Sequence, residues 1–223
     1  MTWKQVFTSS IGRKLVMALT GIFLILFLIV HVGLNACIWA NDDGEMFNAG
    51  AHFMGGTVVP RVLEIGLFVG FILHIVQGYM LTASNQSKRS KGYAVSYGNR
   101  GSRWYSRSMG LLGTIVLLFL VIHLSDFWYP NRSHQGWLLG EEINLFEKMQ
   151  EVFSHLWVVI VYVVGCISLA YHLAHGFQSA FRTLGVHNKR YNIMLSSLGY
   201  GFAVIVPLAF AMMPISIYLG WVH

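Results

Sequence analysis

The sequence predicts an all-α membrane protein, five transmembrane helices packed in one bundle. Three observations carry that reading. Charged residues make up 11% of the chain, where an ordinary soluble domain has roughly 25%, and hydrophobic residues reach 55% with a mean hydropathy of +0.57. Five segments are apolar over the 20 or so residues that a helix needs to cross a bilayer. Charges of opposite sign fall on alternate sides of those segments. A soluble enzyme would need surface charge that this chain lacks. A disordered chain would lack the apolar runs. A disulfide-stapled secreted module would need more than Cys37 and Cys166, which read as buried free thiols and form no C-x-x-C pair for zinc or iron–sulfur.

The spans are read at 14–39, 60–84, 108–129, 154–182 and 193–220, in a single transmembrane domain over 1–223. Lys4, Arg13 and Lys14 precede the first span, as they would a signal peptide, but its apolar run is too long and four further spans follow. Pro60 opens the second span, where a helix tolerates proline. Pro207 and Pro214 fall inside the fifth and predict a kink there.

One side of these spans holds Lys4, Arg13, Lys14, Lys88, Arg89, Lys91, Arg100, Arg103, Arg107, Arg182, Lys189 and Arg190, which is 12 of the 15 basic residues. The other side holds all nine acidic residues: Asp42, Asp43, Glu45, Glu64, Asp126, Glu141, Glu142, Glu147 and Glu151. An even number of spans would scramble this separation. The positive-inside rule then puts the N-terminus in the cytoplasm and the C-terminus outside. The net charge of +6 therefore calls for no nucleic acid. It reads either as a topology signal with anionic-lipid contact or as a docking surface for a cytoplasmic partner. The loop at 85–107 carries Tyr93, Tyr97, Trp104 and Tyr105 among its arginines, a mix that suits a protein interface or a membrane belt.

Histidine is the informative residue. Four lie at membrane depth on four different spans, His31, His74, His123 and His172, with His175 a fifth candidate. A polar ring in hydrocarbon is costly and marks a functional site by default. A single one is ordinarily a hydrogen bond to a neighbouring helix. Counting about 1.5 Å per residue from the cytoplasmic ends puts His31 and His123 roughly 25 and 23 Å in, and His74 and His172 roughly 15 Å in. Four spans thus supply two ligands at each of two levels. That is the arrangement for two haems stacked across the bilayer, since a haem iron takes one axial nitrogen from each face of the porphyrin. Small residues flank the inner pair: Gly70 and Gly78 around His74, Ser168 and Gly176 around His172. Gly21 and Gly113, each ten residues before an outer histidine, are read as clearance at the inner level. One tetrahedral zinc or copper site does not fit two depths, and a proton relay would call for acidic residues that the spans scarcely contain.

These residues resemble the five-helix dihaem cytochrome b anchors of succinate dehydrogenase and fumarate reductase, the membrane subunits of respiratory complex II. The resemblance covers essentially the whole chain. Its motifs are Gly21-Ile-Phe-Leu-Ile-Leu-Phe-Leu-Ile-Val-His31, preceded by Ser9-Ser10-Ile-Gly-Arg-Lys14, and Tyr171-His172-Leu-Ala-His-Gly176, followed by Arg182 and Gly185. The H-x-x-x-G spacing of the second selects His172 over His175. The resemblance implies a distal haem b on His31 and His123 and a proximal haem b on His74 and His172. It implies a bacterial cytoplasmic membrane, an iron–sulfur subunit and an FAD-carrying flavoprotein on the cytoplasmic face, and menaquinone as the membrane substrate. Succinate chemistry belongs to the flavoprotein, not to this chain. Quinone chemistry near the distal haem favours the loop at 41–56, with Glu45 and His52 as the candidate proton carriers. Some dihaem fumarate reductases carry an acidic residue two positions before the span-four ligand; Ala170 stands there, which argues against that proton path and leans toward succinate oxidation. The competing readings are a dihaem anchor of a hydrogenase or formate dehydrogenase, a haem-free transporter lined by histidine, and a haem-free structural anchor.

Overall fold

The computed structural model describes residues 9–87, 103–135, 143–186 and 188–222. Lys4, Lys88, Arg89, Lys91, Tyr93, Tyr97, Arg100, Glu141 and Glu142 lie outside them. Among the described residues all regular structure is helical. Five helices have the length and composition to cross a membrane: Ser10–Ala40, Val58–Ser87, Met109–His134, Leu156–Thr183 and Lys189–Tyr218.

Helix α1, Ser10–Asn35, begins where the Ser9 hydroxyl accepts from the Gly12 N–H at 3.0 Å. It tightens into a 3₁₀ turn, Ala36–Ala40. The chain then reverses through left-handed backbone at Asn41, Asp43 and Gly44. At Gly44, φ is +78° and a Cβ would lie 2.2 Å from the Phe146 ring, so only glycine fits. The segment expected as a loop at 41–56 is largely helix α2, Glu45–Gly56, because the Asp42 carboxylate accepts from the Met46 N–H at 3.0 Å and starts it. Helix α3, Val58–Ser87, follows.

Next come the short α4, Trp104–Arg107, and α5, Met109–His123. The helix of the third span, expected to about 129, continues to His134. A π turn, Leu124–Trp128, leads directly into α6, Tyr129–Gln135, which holds Pro130. Helix α7, Leu145–Phe153, is amphipathic and buries Phe146, Met149 and Phe153; the Asn144 side chain caps it. Helices α8, Leu156–Thr183, and α9, Lys189–Tyr218, complete the chain, and α9 continues through both Pro207 and Pro214.

Helices α1, α3, α5 and α8 form a ring in which each touches the next, and α9 packs outside it against α8 and α1. One apolar cluster joins Ile25, Leu173, Phe177 and Ala203 where α1, α8 and α9 meet. A second closes the acidic end, where α7 slides Phe146, Met149 and Phe153 under Val159, Tyr162 and Met213. The outward faces carry exposed Leu26, Ile29, Val69, Ile72, Leu118, Ile160 and Ile205, as helices facing lipid must. On the basic side Trp104 meets the Tyr171 ring at 4.8 Å and the Tyr105 hydroxyl bonds that of Tyr200 at 3.2 Å.

A charge cluster fastens α3 to the end of the third span. Glu64 accepts from Trp128 Nε1 at 2.6 Å, from Arg61 Nη1 at 3.4 Å, and from Arg132. Arg61 is buried, and the Glu64 and Arg132 side chains are about a quarter exposed or less. Neutralising the acid would leave two guanidiniums in a dry place. Glu64→Gln is expected to lower stability by about 1–3 kcal/mol, less than for a fully buried pair. Glu151→Gln, which removes the exposed partner of Lys148, should cost under about 1 kcal/mol. Thermal unfolding in one detergent compares the two, and equal losses would refute a structural role for the cluster.

Candidate functional site

Each ring helix turns one histidine into the bundle. The His31 and His123 rings lie 5.8 Å apart, centroid to centroid, at 83°. Those of His74 and His172 lie 6.1 Å apart at 62°. Each pair spans a diagonal of the ring, α1 to α5 and α3 to α8. The glycines show that the pairs differ in height. A Cβ on Gly21 of α1 would lie 3.6 Å from His74 Cε1, and one on Gly113 of α5 would lie 3.6 Å from His172 Cε1. Both glycines precede a histidine of the other pair by ten residues, roughly 15 Å of helix. The helices that carry one pair therefore pass the other with no side chain at all.

The remaining small residues act differently. Gly70 meets the Phe23 ring, with 3.0 Å to a Cβ, and Gly78 meets Met17. The Ser168 hydroxyl donates to the Leu112 carbonyl at 3.1 Å. These three serve helix contact, while a Cβ on Gly176 would meet nothing within 4 Å.

The upper pair sits among aromatic rings. Phe27 stacks on His31 at 5.1 Å and Phe119 on His123 at 5.8 Å, each from one turn earlier on the same helix. Phe210 and Phe127 complete the enclosure, at 5.5 Å from His31 and His123. The Tyr162 hydroxyl beside His123 donates to Asp126 at 2.7 Å, tying α8 to the π turn.

Ring nitrogens complete the description. His74 Nδ1 lies 3.2 Å from the Thr20 hydroxyl of α1. His31 Nδ1 faces the Asn35 amide nitrogen at 3.4 Å. His123 Nδ1 and His172 Nδ1 are buried and have no hydrogen-bond partner among the described residues. The ordinary reading of a membrane histidine, a hydrogen bond from Nδ1 to a neighbouring helix, is thus absent at those two rings. Thr20, Asn35 and the Glu64 cluster were not singled out by sequence. Thr20 had a signal, since it precedes His31 by eleven residues, about three turns, and so shares its face.

Two imidazoles on opposite sides of one metal ion, each with a metal–nitrogen bond of about 2 Å, have centroids about 6 Å apart. Both pairs match that span. Among the described residues no three of His, Cys, Asp or Glu converge on one point, so the four histidines make two pairs and not one tetrahedral centre. With only two protein ligands apiece, the pairs fit an iron whose other positions are filled by a planar tetrapyrrole. His175 lies elsewhere, lining a cavity of about 430 Å³ with Lys14, Gln178 and Arg182 at the basic end of α1 and α8. Glu45 and His52 are exposed on α2.

No family model matches the chain, and no solved structure matches it. Among curated proteins it is similar to the succinate dehydrogenase cytochrome b558 subunit of Bacillus subtilis (strain 168), with 29% identity over 162 residues, 72% of this chain and 73% of the relative. That relative supports the resemblance to a cytochrome b membrane anchor of complex II.

The stacking of Phe119 on His123 depends on Gly165, where a Cβ would lie 2.5 Å from the Phe119 ring. Gly165→Val is expected to destabilise the bundle by about 1–3 kcal/mol through overpacking. Gly66→Ala, where a Cβ meets nothing within 4 Å, should be neutral or gain up to about 1 kcal/mol of helix propensity. Thermal unfolding of the two variants gives the comparison; an unaffected Gly165→Val protein would show that Phe119 is not confined there.

Proposed function

We propose that this chain is the cytochrome b anchor of a succinate:quinone oxidoreductase, passing electrons between a cytoplasmic iron–sulfur subunit and menaquinone in the membrane with the help of two haem b groups. The observation that carries the reading is the pair of imidazole couples, each about 6 Å across and each bridging a diagonal of the four-helix ring. His31 and His123 would hold the distal haem, His74 and His172 the proximal one. Each haem, when bound, supplies a one-electron ferric–ferrous couple.

The chain's own part is to hold, orient and shield. Phe27, Phe119, Phe127 and Phe210 keep water from the outer imidazoles, which fixes the polarity around them and hence the potential there. Gly21 and Gly113 remove side chains beside the inner imidazoles. An offset of roughly 15 Å along α1 and α5 keeps the two sites within one membrane thickness. Twelve of 15 basic residues on one side favour that side as the cytoplasmic face, where an iron–sulfur subunit carried by an FAD flavoprotein would dock. Glu45 and His52 are proposed as proton carriers for quinone on the opposite side, exposed at the end nearer the His31 pair. Ala170 in place of an acid favours succinate oxidation as the working direction, as does the name of the Bacillus relative.

The complex purified with its partners is expected to show two low-spin haem b groups per chain in reduced-minus-oxidised spectra. His172→Ala should lose one of them and His175→Ala neither, counted by pyridine haemochrome. A colourless wild-type preparation from haem-sufficient cells would overturn the proposal, and loss of haem in His175→Ala alone would overturn the ligand assignment.

A further inference from the structure

The Thr20 hydroxyl touches an imidazole on another helix, and its own proton is already placed. Thr20 is 9% exposed. Its oxygen lies 2.8 Å from the Val16 carbonyl one turn back and 3.2 Å from that of Met17. A carbonyl only accepts, so the single hydroxyl proton goes to the nearer one, Val16. The oxygen lone pairs remain, and His74 Nδ1 sits 3.2 Å from them. A neutral imidazole carries one N–H. Placed on Nδ1, it donates to Thr20, and the Nε2 lone pair is left for a metal. Placed on Nε2, it would set Nδ1 against an oxygen with no proton to offer.

The other rings lack this arrangement. Asn35 presents an amide nitrogen to His31 Nδ1 and donates to the His31 carbonyl at 2.8 Å, so it offers no acceptor. His172 Nδ1 has no hydrogen-bond partner among the described residues. On α1, Thr20 immediately precedes the glycine that faces His74. On α5, the residue preceding the matching Gly113 is Leu112, which brings no hydroxyl.

We infer that Thr20 is a positioning residue of the inner site: by accepting from His74 Nδ1–H it fixes the tautomer that presents Nε2 to iron and lowers the midpoint potential there. The inference rests on the proposal that the His74 and His172 pair holds a haem. A hydrogen bond from the far nitrogen raises the basicity of the ligating one, which favours the ferric state.

Redox titration of the intact complex tests it, comparing wild type, Thr20→Val and Thr20→Ser, with His74→Ala identifying the inner haem. Thr20→Val keeps the shape and removes the acceptor. It should raise the ferrous-to-ferric ratio of the inner haem about three- to tenfold at fixed potential, tenfold being 59 mV for a one-electron couple. The outer haem should not move, and Thr20→Ser should restore the wild-type value. Loss of the inner haem in Thr20→Val with retention in Thr20→Ser would support the same role. An unmoved potential in Thr20→Val, or equal effects of Val and Ser, would overturn it. A wild-type complex that carries no haem lost in His74→Ala would overturn the reading beneath it as well.

Discussion

Four imidazoles inside an apolar bundle are the constraint from which the rest of this structure follows. A helix satisfies its own backbone in lipid, so span sequences are free to be almost wholly aliphatic, and here they largely are. Histidine breaks that freedom. The fold answers by turning one histidine from each of α1, α3, α5 and α8 into the ring and pairing them across its diagonals. Helix contacts run around the ring, α1 to α3 to α5 to α8 and back to α1. The centre is thereby given to the rings, and the usual interdigitated core is displaced to the α1–α8–α9 seam and to the acidic end.

That displacement explains how the ends are built. A ring without an apolar core along its axis has to be fastened elsewhere. At the acidic end α7 inserts three buried side chains. The π turn after His123 aims Asp126 at Tyr162 and Trp128 at Glu64, so the irregular residues tie this span to α8 on one side and α3 on the other. A regular α-helix through 124–128 would rotate those two side chains away from their partners, which gives the extra residue of the π turn a mechanical purpose.

The five apolar helices and the pairing of their histidines were legible in the sequence because each rests on a one-dimensional quantity: hydropathy over about 20 residues and rise per residue. Gly21 and Gly113 were legible in part, ten residues of rise bringing them nearer the level of the other pair. Facing direction was not. Gly70 and Gly78 looked like Gly21 in sequence, yet they seat Phe23 and Met17, because small residues mark helix contact as readily as a ligand wall. Helices α2 and α7 were missed since their start signals, Asp42 and Asn144, sit in polar stretches that read as loop. The continuation past Pro130 was missed because the π turn that carries the chain across it leaves no periodic trace.

Any group that bonds His31 to His123, or His74 to His172, joins helices across a diagonal of the ring, so its binding energy is also folding energy for the bundle. The two pairs divide that task. One links α1 to α5 and the other α3 to α8, and together they brace both diagonals of the ring. The inner pair is also joined to a third helix, because Thr20 of α1 reaches His74 of α3. Among the described residues the Nδ1 atoms of the outer pair have no such polar link to a neighbouring helix; Phe27 and Phe119 hold its rings by stacking from their own helices. The two sites therefore differ in what sets their imidazoles, a directed hydrogen bond at one level and aromatic confinement at the other. Hydrogen bonding and burial tune a bound iron by different routes, so the two pairs, were each to hold a haem as proposed, would give it different potentials.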